Sequence, residues 1–129
     1  MDSLIINIIK EELRRLEFIE GVFGSAIVDG NGLLITSRLP RSIPERKFGA
    51  LAATLFGAFE TAVEPLKKGK IIHISVEFIQ YQLVIIGSKQ DLVLITVLDF
   101  NSDLGIILIE LEQTIKKINN IIYKYKDVK

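Results

Sequence analysis

The sequence predicts an α/β (α+β) fold in which three layers, α/β/α, surround a five-stranded, mostly antiparallel sheet in the order α-β-β-α-β-β-β-α. Three observations predict it. Two strand-like apolar runs flank the turn sequence Asp29-Gly30-Asn31-Gly32, three more such runs follow one another late in the chain, and three helical segments alternate with these groups. The 129 residues fit a single domain, residues 1–129, with enough length for an ordinary core.

The first half of the chain predicts a helix followed by a hairpin. From Ser3 to Glu17, apolar residues recur at helical spacing and charged residues occupy the other side. Val22 to Val28 and Leu33 to Arg38 are strand-like, and the Asp-Gly-Asn-Gly sequence between them is a strong hairpin signal. Pro40 and Pro44 then break the chain before the middle helix.

The second half predicts three strands and a final helix. The strands are Ile71 to Glu77, Tyr81 to Gly87 and Leu92 to Asp99, and the helix begins near Asn101-Ser102-Asp103, a good N-cap cluster. The third strand of the chain, Ile71 to Glu77, has one half-polar side, which is typical of a sheet edge. We expect the first and last helices on one face of the sheet and the middle helix on the other.

The middle helix is unusual because Phe48 to Phe59, FGALAATLFGAF, carries no charge. A stripe of larger apolar residues has the spacing of a helix that packs on a sheet; it consists of Phe48, Leu51, Ala52, Leu55, Phe59, Ala62 and Val63. The opposite side carries a ridge of small residues that lets another backbone approach; it consists of Gly49, Ala50, Ala53 and Gly57, with Phe56 at its border. Since a helix on a soluble domain ordinarily has a polar face, something must cover this ridge.

We hypothesise that a second copy covers the ridge, in a homodimer whose twofold axis lies at Ala53 and pairs Arg46 of each chain with Glu60 of the other. An open third-strand edge would join its copy across the same axis. The alternative is that another layer of the same domain covers the ridge. The predicted dimer or partner interface comprises Arg46, Gly49, Ala50, Ala53, Phe56, Gly57, Glu60, Ile71, His73 and Ser75.

Composition argues against several function classes. Sixteen basic and sixteen acidic residues cancel, so no electrostatic footprint for nucleic acid is present. The chain lacks cysteine and has a single histidine, His73, so thiolate chemistry, a histidine-based triad and a clustered metal site are not expected. We therefore predict no catalytic residue, no cofactor and no metal. We also predict a cytoplasmic protein without direct membrane insertion, because a signal peptide and a spanning segment are not recognisable.

The chain resembles the Roadblock/dynein light chain family. The resemblance rests on LEFIEGVFGSAIVDGNGLLITSRLP, the small-residue run Gly49 to Ala58, the strands IIHISVEF, QLVIIG and LVLITVLD, and the helix start SDLGIILIELE. It implies a longin- or profilin-like fold and dimerisation through the middle helix and the third strand. It also implies a role as an activator or scaffold of a small Ras-like GTPase, with Arg38, Arg41 and Arg46 near the partner surface. An arginine supplied in trans can stabilise the transition state of GTP hydrolysis.

Two alternatives remain open from the sequence. One is an adaptor subunit of a motor or of a membrane-associated complex, which sequence does not separate from a GTPase regulator. The other is a small-molecule sensory domain, although such a domain would need a cavity with convergent polar groups. The identity of the partner, and pairing with itself or with a paralogue, also stay open.

Overall fold

A computed structural model describes residues 2–67, 70–88 and 91–126 of the chain, the last without its side chain. The elements are α1 (Ser3–Leu16), β1 (Val22–Asp29), β2 (Leu34–Arg38), α2 (Glu45–Val63), a 3₁₀ turn (Glu64–Leu66), β3 (Ile74–Glu77), β4 (Tyr81–Gly87), β5 (Leu92–Asp99) and α3 (Leu104–Lys126). The predicted order is therefore confirmed. Gly69 and the Lys89-Gln90 pair, which fall between predicted elements, lie outside the described residues.

The five strands form one sheet in the order β2-β1-β5-β4-β3, and every neighbouring pair is antiparallel. β5 occupies the centre because it pairs with both β1 and β4. β2 and β3 are the two edges, so the prediction of an edge position for the third strand is confirmed.

Two hydrophobic cores lie on opposite faces of the sheet. The first core packs α1 and α3 against alternate strand residues such as Ile27 and Leu94, both fully buried. The second core packs α2 against the intervening residues, among them Val28 and Ile95. The three-layer arrangement follows from this alternation, because successive strand residues point to opposite faces.

The hairpin between β1 and β2 forms as its sequence predicts. The carboxylate of Asp29 accepts hydrogen bonds from the backbone N–H groups of Asn31 at 2.9 Å and Leu33 at 3.0 Å. Gly32 adopts a φ of +85°, which a residue with a side chain rarely adopts. The turn residues therefore satisfy their own backbone and fix where the hairpin reverses.

β3 is shorter than predicted, since it begins at Ile74 rather than at Ile71. The prediction of a strand is wrong for residues 71–73, where Ile71 packs on the second core and Ile72 is exposed. These residues precede the paired strand, so the strict alternation of a pleated strand does not apply to them.

Candidate functional site

Helix α2 crosses the strands, and two glycines set its distance from the sheet. A Cβ atom built on Gly49 would lie 2.5 Å from Val28 Cγ1 in β1, and a Cβ atom on Gly87 in β4 would collide with the ring of Phe56. Val28 and Gly87 both pair with Val93 of β5. The seven residue steps from Gly49 to Phe56 span about 10 Å along the helix, and the two strand spacings from β1 across β5 to β4 also span about 10 Å. Helix α2 therefore runs across these three adjacent strands.

The predicted orientation of α2 is wrong in part, because Gly49 and Ala53 of the ridge face the chain's own sheet, together with Phe56 at its border. Gly49, Ala53 and Phe56 are buried together with Ala52. The small residues do permit a close approach, but the group that approaches Gly49 is the side chain of Val28 in the sheet of the same domain. Gly49, Ala53 and Phe56 are thus unavailable to a second copy in this structure, and a twofold axis cannot pass through Ala53.

Of the residues expected to face the sheet, Ala52 does so, but most of the others lie on a more exposed apolar surface, which we call the α2 stripe. Leu51 is 64% exposed and Phe59 is 48% exposed, while Phe48 and Leu55 are half-buried at the margin of the second core. Successive steps of three or four residues place these side chains on one side of the helix. The α2 stripe consists of Phe48, Leu51, Leu55, Ala58, Phe59 and Ala62.

Other predicted interface residues on α2 are accessible. Arg46, Ala50, Gly57 and Glu60 are all exposed. Ala50 lies beside the hairpin, where a Cβ atom on Gly32 would approach its Cα atom to 3.1 Å. A Cβ atom on Gly57 would have no neighbour within 4 Å among the described residues, so this glycine is not required by packing within the chain.

The edge strand β3 offers a second accessible surface. Among the described residues it pairs only with β4, and Ser75 is exposed while Ile74 packs inward. His73 is half-buried, and its buried Nδ1 atom has no hydrogen-bond partner among the described residues. Ile71, by contrast, contributes to the second core. An unpaired strand edge carries a row of free backbone N–H and C=O groups and is a template for pairing.

The end of α2 and the start of β3 share one depression. Its volume is about 410 Å³, and Glu60, Val63 and Ile71 contribute to its lining. The exposed end of α2 and the lead into β3 are therefore parts of one continuous surface.

The three arginines expected near a partner differ in their surroundings. The guanidinium of Arg38 contacts the carboxylate of Glu17 through Nη2 at 2.9 Å and through Nε at 3.0 Å. Arg41 and Arg46 are exposed, and neither makes an ion pair with any described residue. Arg41 and Arg46 can reach a partner without giving up an existing contact, whereas Arg38 cannot.

Across residues 2–67, 70–88 and 91–126, no helix has both the length and the apolar character needed to cross a bilayer. Within the same ranges, His, Asp and Glu side chains do not gather in groups of three or more that could hold a metal ion.

Comparison with known proteins places this geometry in a family. The profile of the Roadblock/LC7 domain matches residues 8–99. The uncharacterized protein MJ1340 of Methanocaldococcus jannaschii is 29% identical over 106 residues, covering 82% of this chain and 92% of the relative. The uncharacterized protein MJ0714 of the same organism is 26% identical over 115 residues, covering 89% and 97%.

Solved structures share the fold at low sequence identity. Myxococcus xanthus MglB has a TM-score of 0.87 at 18% identity, covering 96% of this chain and 94% of that chain. The Roadblock/LC7 domain of Streptomyces avermitilis has a TM-score of 0.80 at 14% identity, covering 88% and 96%. An MglB described with a tetrameric arrangement has a TM-score of 0.86 at 14% identity, covering 96% and 94%.

Proposed function

This chain belongs to the Roadblock/LC7 domain family, whose members are small and generally non-catalytic regulatory or scaffolding domains. From that premise we propose that the chain acts as a homodimer that binds a small Ras-like GTPase. In this proposal the two copies meet through the α2 stripe and the β3 edge. The paired α2 helices then present one composite surface to the GTPase.

The observation that carries the proposal is the exposed α2 stripe. Fully burying a leucine side chain stabilises by about 1.5–3 kcal/mol, and 64% of Leu51 remains accessible in one copy. Burying that remainder contributes about 1–2 kcal/mol per copy, or about 2–4 kcal/mol in a symmetric dimer. The adjoining β3 edge adds backbone hydrogen bonds along the same surface. A second copy satisfies both needs, and self-association also occurs in the MglB with a tetrameric arrangement.

The GTPase part of the proposal has its support in the family and in two arginines. Arg46 lies in the first turn of α2 and Arg41 in the preceding loop, both exposed. Both cations are therefore accessible to a partner that binds near the N-terminal end of α2. Cations there can hold the GTPase by contacts to its acidic side chains or can stabilise charge during hydrolysis.

The dimer is tested by substituting Leu51 with glutamate and measuring mass by light scattering over a concentration series. Removal of the leucine contact from both copies weakens the dimer by roughly 30- to 700-fold. The matched control is Ile109→Glu, because Ile109 is 58% exposed on α3 beyond the other face of the sheet. A monomeric wild type, or equal effects of the two substitutions, would contradict the proposed interface.

GTPase binding is tested with each purified Ras-like GTPase of the same cell, loaded in turn with GDP and with a non-hydrolysable GTP analogue. We expect retention of one GTPase by the wild type and reduced retention by Leu51→Glu. Hydrolysis measured with wild type, Arg41→Ala and Arg46→Ala then separates activation from scaffolding. If none of these GTPases is retained in either nucleotide state, the GTPase proposal is wrong. The proposed dimer is tested separately by the light-scattering experiment.

A further inference from the structure

Three chain segments meet at the end of the sheet where β1 and β4 begin. The backbone N–H of Asp99 donates to the carbonyl of Gly21 at 2.7 Å, and the N–H of Phe100 donates to the carbonyl of Gln80 at 3.1 Å. These bonds tie the α1–β1 turn, the β3–β4 turn and the β5–α3 turn to one another. The surface that they form involves neither α2 nor the α2 stripe.

Large apolar side chains cluster on these segments. Ile79 is 95% exposed and Phe23 is 45% exposed. The rings of Phe23 and Tyr81 meet edge to face, with centroids 5.5 Å apart. Exposed apolar side chains are ordinary one at a time, but a contiguous group marks an interaction site. We call this group the sheet-end patch, and it consists of Phe23, Ile79, Tyr81 and Phe100, which line a common depression, and Phe78, which precedes Ile79 in the β3–β4 turn.

The sheet-end patch surrounds a depression rather than a flat surface. The depression has a volume of about 360 Å³ and is lined by residues that include Phe23, Ile79, Tyr81 and Phe100. One wall is held in place, since the side-chain amide of the buried Gln82 donates from Nε2 to the carbonyl of Phe100 at 2.8 Å. An apolar side chain of a partner can therefore enter a preformed site.

The three segments that carry the sheet-end patch are acidic. The segments 17–23, 77–81 and 99–103 contain five acidic residues and neither lysine nor arginine, although the whole chain has sixteen of each sign. Glu17 is neutralised by Arg38. The other four carboxylates, Glu20, Glu77, Asp99 and Asp103, form no ion pair with any described residue.

We propose that the sheet-end patch binds a segment of another protein in which lysine or arginine residues alternate with large apolar ones. The apolar residues enter the depression, and the cations meet the carboxylate of Asp99, which lines it, and the other unpaired carboxylates of the three segments. The same charges disfavour the patch of a second copy as the occupant, because a twofold contact would bring like charges together. This inference is independent of the proposed function, since it uses a different surface.

The probe is a fluorescein-labelled peptide of about twelve residues in which leucine and lysine alternate in pairs, with a second version that carries glutamine in place of lysine. Binding is measured by fluorescence anisotropy at about 50 and about 500 mM NaCl. We expect the lysine peptide to bind more tightly than the glutamine peptide and to weaken at high salt. Ile79→Ser should weaken it about tenfold, and Glu20→Lys about threefold at low salt.

Matched substitutions outside the patch are Leu33→Ser, at a leucine that is 66% exposed in the β1–β2 turn, and Glu110→Lys, on the exposed side of α3. Both should bind the lysine peptide as the wild type does. Ile79 is almost wholly exposed, so its substitution leaves the fold intact, which circular dichroism verifies. Equal binding of the two peptides, or wild-type affinity in Ile79→Ser, would overturn the inference. So would a loss of self-association in Ile79→Ser, because the occupant would then be a second copy.

Discussion

The contact between α2 and the sheet predicts opposite effects for two glycines of the same helix. A methyl group added at Gly49 would lie 2.5 Å from Val28 Cγ1, whereas one added at Gly57 would meet no described atom within 4 Å. Gly57→Ala should stabilise the fold by up to about 1 kcal/mol, the difference in helix propensity. Gly49→Ala gains the same propensity but overpacks a core position, at a cost of about 1–3 kcal/mol.

Because helix propensity is common to both substitutions, their difference isolates the packing cost. We expect Gly49→Ala to be less stable than Gly57→Ala by about 1–3 kcal/mol, or roughly 3–6 °C in Tm for each kcal/mol. The assay is urea unfolding followed by circular dichroism at several protein concentrations, so that any self-association is separated from folding. In a Val28→Ala background the difference should largely disappear, since the clashing methyl group is gone.

Equal stabilisation by the two glycine substitutions would refute this packing. It would mean that Gly49 does not face β1, and that the orientation of α2 is the one expected from the sequence.

Three further outcomes follow from the same structure. Phe56→Ala should cost about 3–5 kcal/mol in urea unfolding, because it empties the space over Gly87, and a cost below about 1 kcal/mol would contradict that contact. Thr96→Val should be neutral or stabilising by about 1 kcal/mol, since the buried Thr96 hydroxyl has no hydrogen-bond partner among the described residues; a clear loss of stability would reveal one. Arg38→Ala should lower the free energy of unfolding by about 1 kcal/mol or less, because its ion pair with Glu17 is partly exposed. High salt should reduce this difference, and a loss that does not depend on salt would contradict the assignment of the effect to the ion pair.

The strands and their turns could be predicted because local sequence determines them. The Asp-Gly-Asn-Gly turn places its own hydrogen bonds, as the contacts of Asp29 show. The alternation of buried residues in β4 and β5 divides one face from the other and requires helices on both. The three-layer order therefore follows from the sequence without knowledge of long-range contacts.

The orientation of α2 could not be predicted in the same way, because every side of the helix is apolar and the period alone does not choose among them. The deciding features are far apart in sequence: Gly49 faces Val28, and Phe56 faces Gly87. A glycine at the end of a strand can mark the close approach of another group, and Gly87 was the available signal. Its partner becomes evident only when the strands are assembled.

The sheet-end patch was missed because its members belong to three segments that are far apart in the sequence. Each segment alone looks like an ordinary turn with its adjoining strand residues. The feature that the three segments share in the sequence is the absence of lysine and arginine. It indicates one acidic surface only when the segments are known to be adjacent, through the hydrogen bonds that join Gly21 to Asp99 and Gln80 to Phe100.

The central claim is that a second copy covers the α2 stripe and the β3 edge, and one distance tests it most directly. The chain has no cysteine, so Ser75→Cys provides a single site for a nitroxide label on β3. If the β3 edges of two copies pair, pulsed dipolar spectroscopy should find the two labels within about 25 Å of each other, because adjacent strands lie about 4.8 Å apart. A sample without dipolar coupling, or a dimer in which the labels are clearly farther apart, would contradict the claim.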